Sequence, residues 1–159
     1  MSNDELDALY QDTILDHYKN PRGKHDVMRV DFEKYGYNPI CGDKVLIRAQ
    51  FNNNSIEDVS VESSGCAISV ASGSMLAELL PGKNIEEVLE IAESFREMML
   101  GKGIPEDVDF GDLDVLEGVS QYHSRVKCAL LSWVTLKDLI GAWQTDTVSS
   151  APATTERED

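Results

Sequence analysis

Three cysteines and one aspartate carry the chemical promise of this chain: Cys41-Gly42-Asp43, Gly65-Cys66, and Cys128 within Arg125-Val126-Lys127-Cys128. Three thiolates and a carboxylate complete a tetrahedral set for Zn²⁺, or supply anchors for an iron–sulfur unit. Free cysteine is also among the most buried residue types, so three in 159 residues can equally be small core hydrophobes. Local context separates the two readings. Gly42 lets the backbone approach a metal closely, and the spacing of Cys41 and Asp43 can project two ligands from one tight turn. Cys66 follows Ser63-Ser64-Gly65 and precedes a helix-like pattern. It therefore belongs at a helix N-terminus, where the dipole and free N–H groups favour thiolate over thiol.

The elements that must position these residues are readable from periodicity. Ser2-Asn3-Asp4-Glu5 has the form of a capping box, followed by Leu6, Leu9, Tyr10, Ile14 and Tyr18 at helical spacing up to Asn20-Pro21. A short extended segment is expected near Arg29 to Tyr35. Val45, Ile47, Ala49 and Phe51 alternate with Leu46, Arg48, Gln50 and Asn52, and the turn Asn52-Asn53-Asn54-Ser55 leads into Ile56 to Glu62, which predicts a β-hairpin. Helices are expected from about Cys66 to Leu80, stopped by Pro81-Gly82, and from Asn84, paired with Glu87 as a cap, to near Gly101. Gly101 to Phe110 reads as a loop, Asp112 as the cap of a short helix through Leu116, and Arg125 to Trp143 as the last helix.

The resulting fold class is α+β: a small three-stranded antiparallel sheet packed against about five helices, with the metal site at one exposed end. Residues 1–143 are expected to form a single domain. Beyond Gln144, Thr, Ser, Ala, Pro and charge replace the periodic pattern, so residues 144–159 are expected to be a disordered acidic C-terminal tail.

Composition narrows the function. Net charge is −15, from 29 acidic and 14 basic side chains, which repels a phosphate backbone and argues against nucleic-acid binding. The same charge serves solubility before electrostatic steering. No apolar run reaches the roughly 18–20 residues needed to cross a bilayer, and Met1-Ser2-Asn3-Asp4-Glu5 lacks the features of a secretory signal. A cytoplasmic location with no membrane partner is expected. An odd number of widely spaced cysteines there favours metal or thiol chemistry over disulfides.

Three segments, in order, carry a family resemblance: Asn38-Pro39-Ile40-Cys41-Gly42-Asp43, Ser64-Gly65-Cys66-Ala67-Ile68-Ser69, and Arg125-Val126-Lys127-Cys128-Ala129-Leu130-Leu131-Ser132-Trp133. Over residues 4 to 143 the chain resembles the SufU-type branch of the IscU/NifU-N-like iron–sulfur cluster assembly scaffold family. IscU-like members have a histidine immediately before the third cysteine and a Pro-Pro-Val-containing chaperone motif upstream. Here Lys127 replaces the histidine, and Ser120-Gln121-Tyr122-His123 lacks the motif. Gly101 to Glu117 would supply the insertion typical of the SufU-type branch.

The resemblance implies a zinc protein that accepts persulfide sulfur from a SufS-type cysteine desulfurase and stimulates its turnover, a sulfurtransferase-like carrier. Its metal ligands would be Cys41, Asp43, Cys66 and Cys128. Cys41, displaced from the metal by a partner's histidine, would be the sulfur acceptor, and Arg125 a nearby cation receiving the displaced group. Other iron–sulfur assembly proteins or apo-acceptors would be further partners. Three thiolates and a carboxylate around a divalent ion leave a double negative charge, which Arg125 and Lys127, flanking Cys128, could offset.

Other functions remain open at this point. The same four residues could hold a transient [2Fe–2S] cluster or iron, as a scaffold does, with Asp43 as a weak ligand easing release. A purely structural zinc in an interaction module is a further alternative, although an oxygen ligand suggests a site able to rearrange. A zinc hydrolase would need a general base, and His17, His25 and His123 are scattered, each reading as a surface or capping residue, with His123 a substitute for Asp43 if its loop folds inward. Trp133 and Trp143 fall on a helical stripe and read as core before they read as a docking surface.

Overall fold

Strand β2 (Asp43–Asn52) shows why the sheet forms: Val45, Ile47, Ala49 and Phe51 alternate along it and are all buried on one face. It turns at Asn53, whose φ of 54° suits an asparagine, into β3 (Ser55–Ser64), where Ile56, Val59 and Val61 join the same core. The register shifts between Gln50 and Phe51, a local irregularity that still keeps Phe51 inside. Strand β1 (Phe32–Asn38) pairs antiparallel with β2 from Phe32↔Ala49 to Asn38↔Asp43, giving the order β1-β2-β3. The extended segment expected near Arg29 to Tyr35 thus lies about three residues further along. These positions come from a computed structural model of the chain, which describes residues 11–146 and 151–155.

Helices cover the apolar face of the sheet. Helix α1 (Asp12–Lys19) buries Ile14, while Tyr18 is exposed; the proposed capping box with Leu6, Leu9 and Tyr10 lies outside the described residues. Helix α2 (Ala67–Leu79) is buried continuously from Ile68 to Ala77, as a helix enclosed by other elements must be. Its small residues permit close approach: a Cβ on Gly73 would meet Ser63 Oγ at 2.9 Å and Ser132 Oγ at 3.0 Å. Helix α3 (Ile85–Glu97) begins as expected, with Asn84 accepting the Glu87 N–H at 2.9 Å. It continues as a π-turn over Met98–Lys102. Residues 111–121 form a 3₁₀ helix, longer than the expected short helix, and Asp112 does not cap it but bonds His17 instead.

Helix α4 (His123–Thr145) crosses the sheet with Ala129, Trp133, Leu136 and Ile140 buried, and Trp143 stacks on Phe51 with ring centroids 4.1 Å apart. The tryptophans are core and packing residues, in line with their helical spacing.

Part of the segment expected to be a disordered tail is described. Helix α4 runs two residues past 143, and residues 151–155 lie against the edge strand β1. The Tyr37 N–H donates to the Ala153 carbonyl and the Ala153 N–H to the Tyr35 carbonyl, both at 2.9 Å, leaving Ala153 fully buried. The physical reason is the edge itself: alternate N–H and C=O groups of β1 point away from β2 and need partners. Low hydrophobicity hid a contact made by backbone alone.

Helix α4 also fixes a tight contact with β1, because a Cβ on Gly36 would collide with Thr135 Oγ1 and meet Val45 Cγ1 at 2.8 Å. Gly36→Ala should therefore destabilise the protein by about 1–3 kcal/mol through overpacking, read as a lowered urea midpoint at unchanged slope.

Candidate metal centre

Each expected ligand is placed at or near an element boundary. Cys41 and Asp43 come from the β1–β2 connection, whose ends are the paired residues Asn38 and Asp43. Two bonds within that turn fix it: the Gly42 N–H donates to the Asn38 carbonyl at 2.8 Å, and the Ile40 N–H to Asn38 Oδ1 at 3.2 Å. Gly42 adopts φ of 74°, a conformation that favours glycine. The turn leaves Cys41 exposed and Ile40 75% exposed, while Asp43, the first residue of β2, is 0% exposed.

Cys66 is the N-cap of α2 and is half-buried; Cys128 lies in the second turn of α4 and is buried. The Cys66 backbone N–H donates to Asp43 Oδ1 at 2.9 Å, and Cys66 Sγ lies 4.0 Å from Asp43 Oδ2. One ligand atom from each of Cys41, Asp43 and Cys128 falls within 4.8 Å of the others. Both Cys41 Sγ and Cys128 Sγ approach the Ser124 carbonyl, at 3.9 and 3.7 Å. Three of the expected ligands thus meet at one end of the sheet, where the β1–β2 turn and the start of α4 come together, and Cys66, at the start of α2, lies outside that set but borders it through Asp43 and Cys128.

The thiols are electrostatically distinct. The Cys66 pKa is lowered to about 7, chiefly because the Cys128 thiol hydrogen-bonds to it, against the opposing effect of burial. The N–H groups of Ser69 and Ile68 at the start of α2 pull the same way, so the helix terminus contributes as expected but second to Cys128. Cys128 is pushed far upward, first by Cys66 and then by burial, with Asp43 and Cys41 adding to it. A Cys66 thiolate accepting a bond from a Cys128 thiol is the resulting state.

This donor set fits a divalent zinc ion. Tetrahedral coordination at about 2.0–2.3 Å places ligand atoms about 3–4 Å apart, a modest contraction of the cluster, and two of the three thiols already bracket a buried carboxylate. Asp43 is seated by its surroundings: a Cβ on Gly65, whose φ is 132°, would collide with Asp43 Oδ1. Only glycine there lets β3 close over the carboxylate.

Arg125 stands in the first turn of α4, half-buried and one turn before Cys128. Lys127 is exposed and lines a groove between α3 and α4, so it faces away from the role considered for it beside Cys128. His123 is exposed and lines the same groove, and Asp43 occupies the position for which His123 was a substitute. His25 is an exposed partner of Asp58 at 2.7 Å.

His17 differs from expectation. It is fully buried, with Nδ1 2.7 Å from Ser74 Oγ and Nε2 2.9 Å from Asp112 Oδ2. It ties α1, α2 and the 3₁₀ helix together, and so holds the segment Gly101 to Glu117 to the body of the protein. Its position in the helical stripe, between Ile14 and Tyr18, was the signal available. Sequence reasoning also missed Ser124, a main-chain partner four residues before Cys128, and Gly65 as the seat of Asp43.

The residues 9–129 match the model of the NifU-like N-terminal domain. The chain is 42% identical over 138 residues to a zinc-dependent sulfurtransferase SufU from Bacillus subtilis, covering 85% of this chain and 91% of that one. It is 35% identical over 140 residues to an iron–sulfur cluster assembly scaffold protein IscU from Streptococcus pyogenes, covering 88% and 87%. A crystal structure described as an iron–sulfur cluster assembly scaffold protein for the SUF system from Fervidobacterium islandicum superposes with a TM-score of 0.78 at 35% identity, covering 84% and 98%. The N-terminal part of a NifU-like protein from Brucella abortus superposes at 0.83 with 22% identity, covering 90% and 99%, a likeness of fold.

Two measurements follow from the geometry. Gly65→Ala should lower zinc affinity about 10- to 100-fold by unseating Asp43, measured by competition with a chromophoric chelator. In metal-free protein, iodoacetamide labelling of Cys66 should rise with a midpoint near pH 7, since the thiol predominates below that pH and the thiolate above it; Cys128 should label slowly throughout.

Proposed function

Because this chain belongs to the NifU-like N-terminal domain family, we propose that it is a zinc-dependent sulfur acceptor of iron–sulfur cluster assembly, taking persulfide sulfur from a cysteine desulfurase onto Cys41. Iron–sulfur cluster assembly is the function of the scaffold relatives, and zinc-dependent sulfur transfer that of the Bacillus subtilis one. The finer assignment is carried by one observation: Cys41 is the exposed thiol of the three, on a turn, while Cys66 and Cys128 are recessed beside the buried Asp43. A sulfur donor arriving from outside meets Cys41 first.

In this reading Cys41, Asp43, Cys66 and Cys128 hold the zinc, which when bound keeps thiols deprotonated at neutral pH. Asp43 is kept in place by the Cys66 N–H and the glycine packed on it. The Cys41 thiolate attacks the outer sulfur of the desulfurase persulfide. A new S–S bond forms on Cys41, the donor's S–S bond breaks, and the desulfurase cysteine leaves as thiolate. Cys66 and Cys128 remain reduced and retain the carboxylate beside them. Arg125, in the turn before Cys128, is assigned the cationic role that offsets the charge of three thiolates and a carboxylate. Exposed Ile40 and Tyr37 flank the acceptor and offer apolar surface to the donor.

A second reading, a scaffold for a transient [2Fe–2S] cluster on the same residues, is favoured by the similarity to IscU proteins. Lys127, standing where IscU-like members carry a histidine, lines the groove and supports the sulfur-acceptor reading instead. A structural zinc in an interaction module is weakened by the exposure of Cys41.

Incubation with a desulfurase and cysteine, followed by alkylation and mass spectrometry, should place the persulfide on Cys41. Cys41→Ala, compared at matched zinc content, should lose stimulation of desulfurase turnover by about tenfold or more. Label confined to Cys66 or Cys128, or stimulation that survives the substitution, defeats the assignment; a brown product with cluster absorption would favour the scaffold.

A further inference from the structure

Asn38 opens the turn that carries Cys41, and its side chain is used there only in part. It is 0% exposed. Its carbonyl accepts the Gly42 N–H at 2.8 Å, and its Oδ1 accepts the Ile40 N–H at 3.2 Å. The second bond fixes which way the carboxamide faces, because the reversed amide would set one N–H against another. The remaining group, Nδ2, is buried and has no hydrogen-bond partner among the described residues. An amide nitrogen can only donate, and a buried donor left unpaired is unfavourable.

The turn does not account for that amide, since aspartate supplies the same acceptor to the N–H two residues on and has no donor to bury. The neighbouring strand does. Asn38 and Asp43 are paired directly across β1 and β2, so their side chains leave the ladder on one face, with Cβ atoms about 4.5–5.5 Å apart. Gly36, two residues earlier on that face, packs on Thr135, so this is the face covered by α4, the helix that carries Cys128. Asp43 has room for another bond: the Cys66 N–H takes one position on Oδ1, and a carboxylate offers about four.

One ligand atom from each of Cys41, Asp43 and Cys128 lies within 4.8 Å of the others, whereas tetrahedral zinc holds its ligand atoms about 3–4 Å apart. Closing the set shifts the carboxylate, and a ligating carboxylate takes its direction from the donors around it. Asn38 is the adjoining residue with a donor unused.

We propose that Asn38 is a positioning residue of the metal centre, its Nδ2–H donating to the Asp43 carboxylate as that carboxylate engages zinc. The bond ties the ligand from β2 to the turn that bears Cys41, so the carboxylate keeps its direction when the exposed thiol is engaged elsewhere. The proposal rests on the metal set given above and is independent of sulfur transfer.

Side-chain amide NMR signals of the isotope-labelled full chain, followed through a zinc titration, read the bond directly; the Asn38 signal is identified by its loss in Asn38→Asp. The Asn54 amide, bonded to Glu86 at 2.7 and 2.8 Å at the far end of the hairpin, is the internal reference. One Asn38 Nδ2 proton should move downfield in step with zinc uptake, and its exchange with water should slow about tenfold or more, the worth of one bond to a charged acceptor. Asn54 should stay in place, and in zinc-loaded Asp43→Ala the Asn38 shift should be gone. Asn38→Asp keeps the acceptor for Ile40 and removes the donor, so its zinc affinity should fall about tenfold or more, although the added carboxylate would raise it by Coulomb attraction alone. An Asn38 signal unmoved by bound zinc, a shift that persists in Asp43→Ala, or an affinity of Asn38→Asp equal to or above that of the unaltered chain would overturn the proposal. Failure of the unaltered chain to take up zinc at all would overturn the metal set, and the proposal with it.

Discussion

A fully buried carboxylate has given up its hydration, and the structure around Asp43 is organised to compensate for that. The Cys66 N–H at the head of α2 donates to it, the thiols of Cys41 and Cys128 stand close by, and Gly65 presents bare backbone against it. Because Asp43 opens β2, its burial also ties the hairpin register to the site: Asn38 pairs with Asp43 at the point where the turn bearing Cys41 begins. A shift of one residue would turn Asp43 to the opposite face and take the carboxylate out of the cluster.

That constraint connects the fold to the chemistry. The sheet and α2 form the rigid floor, with Val45, Ile47 and Val61 on one side and the continuously buried stretch of α2 on the other. On this floor Cys66 and Cys128 form a paired thiolate and thiol whose protonation is set mostly by each other. Cys41, by contrast, rides on a short turn held by bonds to Asn38. A recessed pair with a carboxylate and an exposed third thiol is an asymmetric set, suited to a metal that stays while one sulfur engages a visitor.

Much of this was legible from residue types and spacing, and the reasons differ by element. The hairpin was visible because one face of β2 is apolar at period two, and the start of α3 because Asn84 and Glu87 announce a cap. The convergence of the cysteines followed from their positions at element boundaries. What stayed hidden depends on contacts far apart in sequence or made by backbone. Nothing local to His17 reveals Ser74 and Asp112, 57 and 95 residues away, and Asp112 looks like a helix cap until that histidine claims it. Ala153 carries no side-chain signal, yet the open edge of β1 captures its peptide groups. Ser124 contributes only a carbonyl.

The central claim, that Cys41, Asp43, Cys66 and Cys128 enclose one ion, is tested most directly by zinc K-edge X-ray absorption on the purified protein. The account predicts three sulfur scatterers at about 2.3 Å and one oxygen at about 2.0 Å, with the oxygen contribution altered in Asp43→Ala. A shell of nitrogen and oxygen alone, or of four sulfurs, or a spectrum unchanged by that substitution, would contradict it.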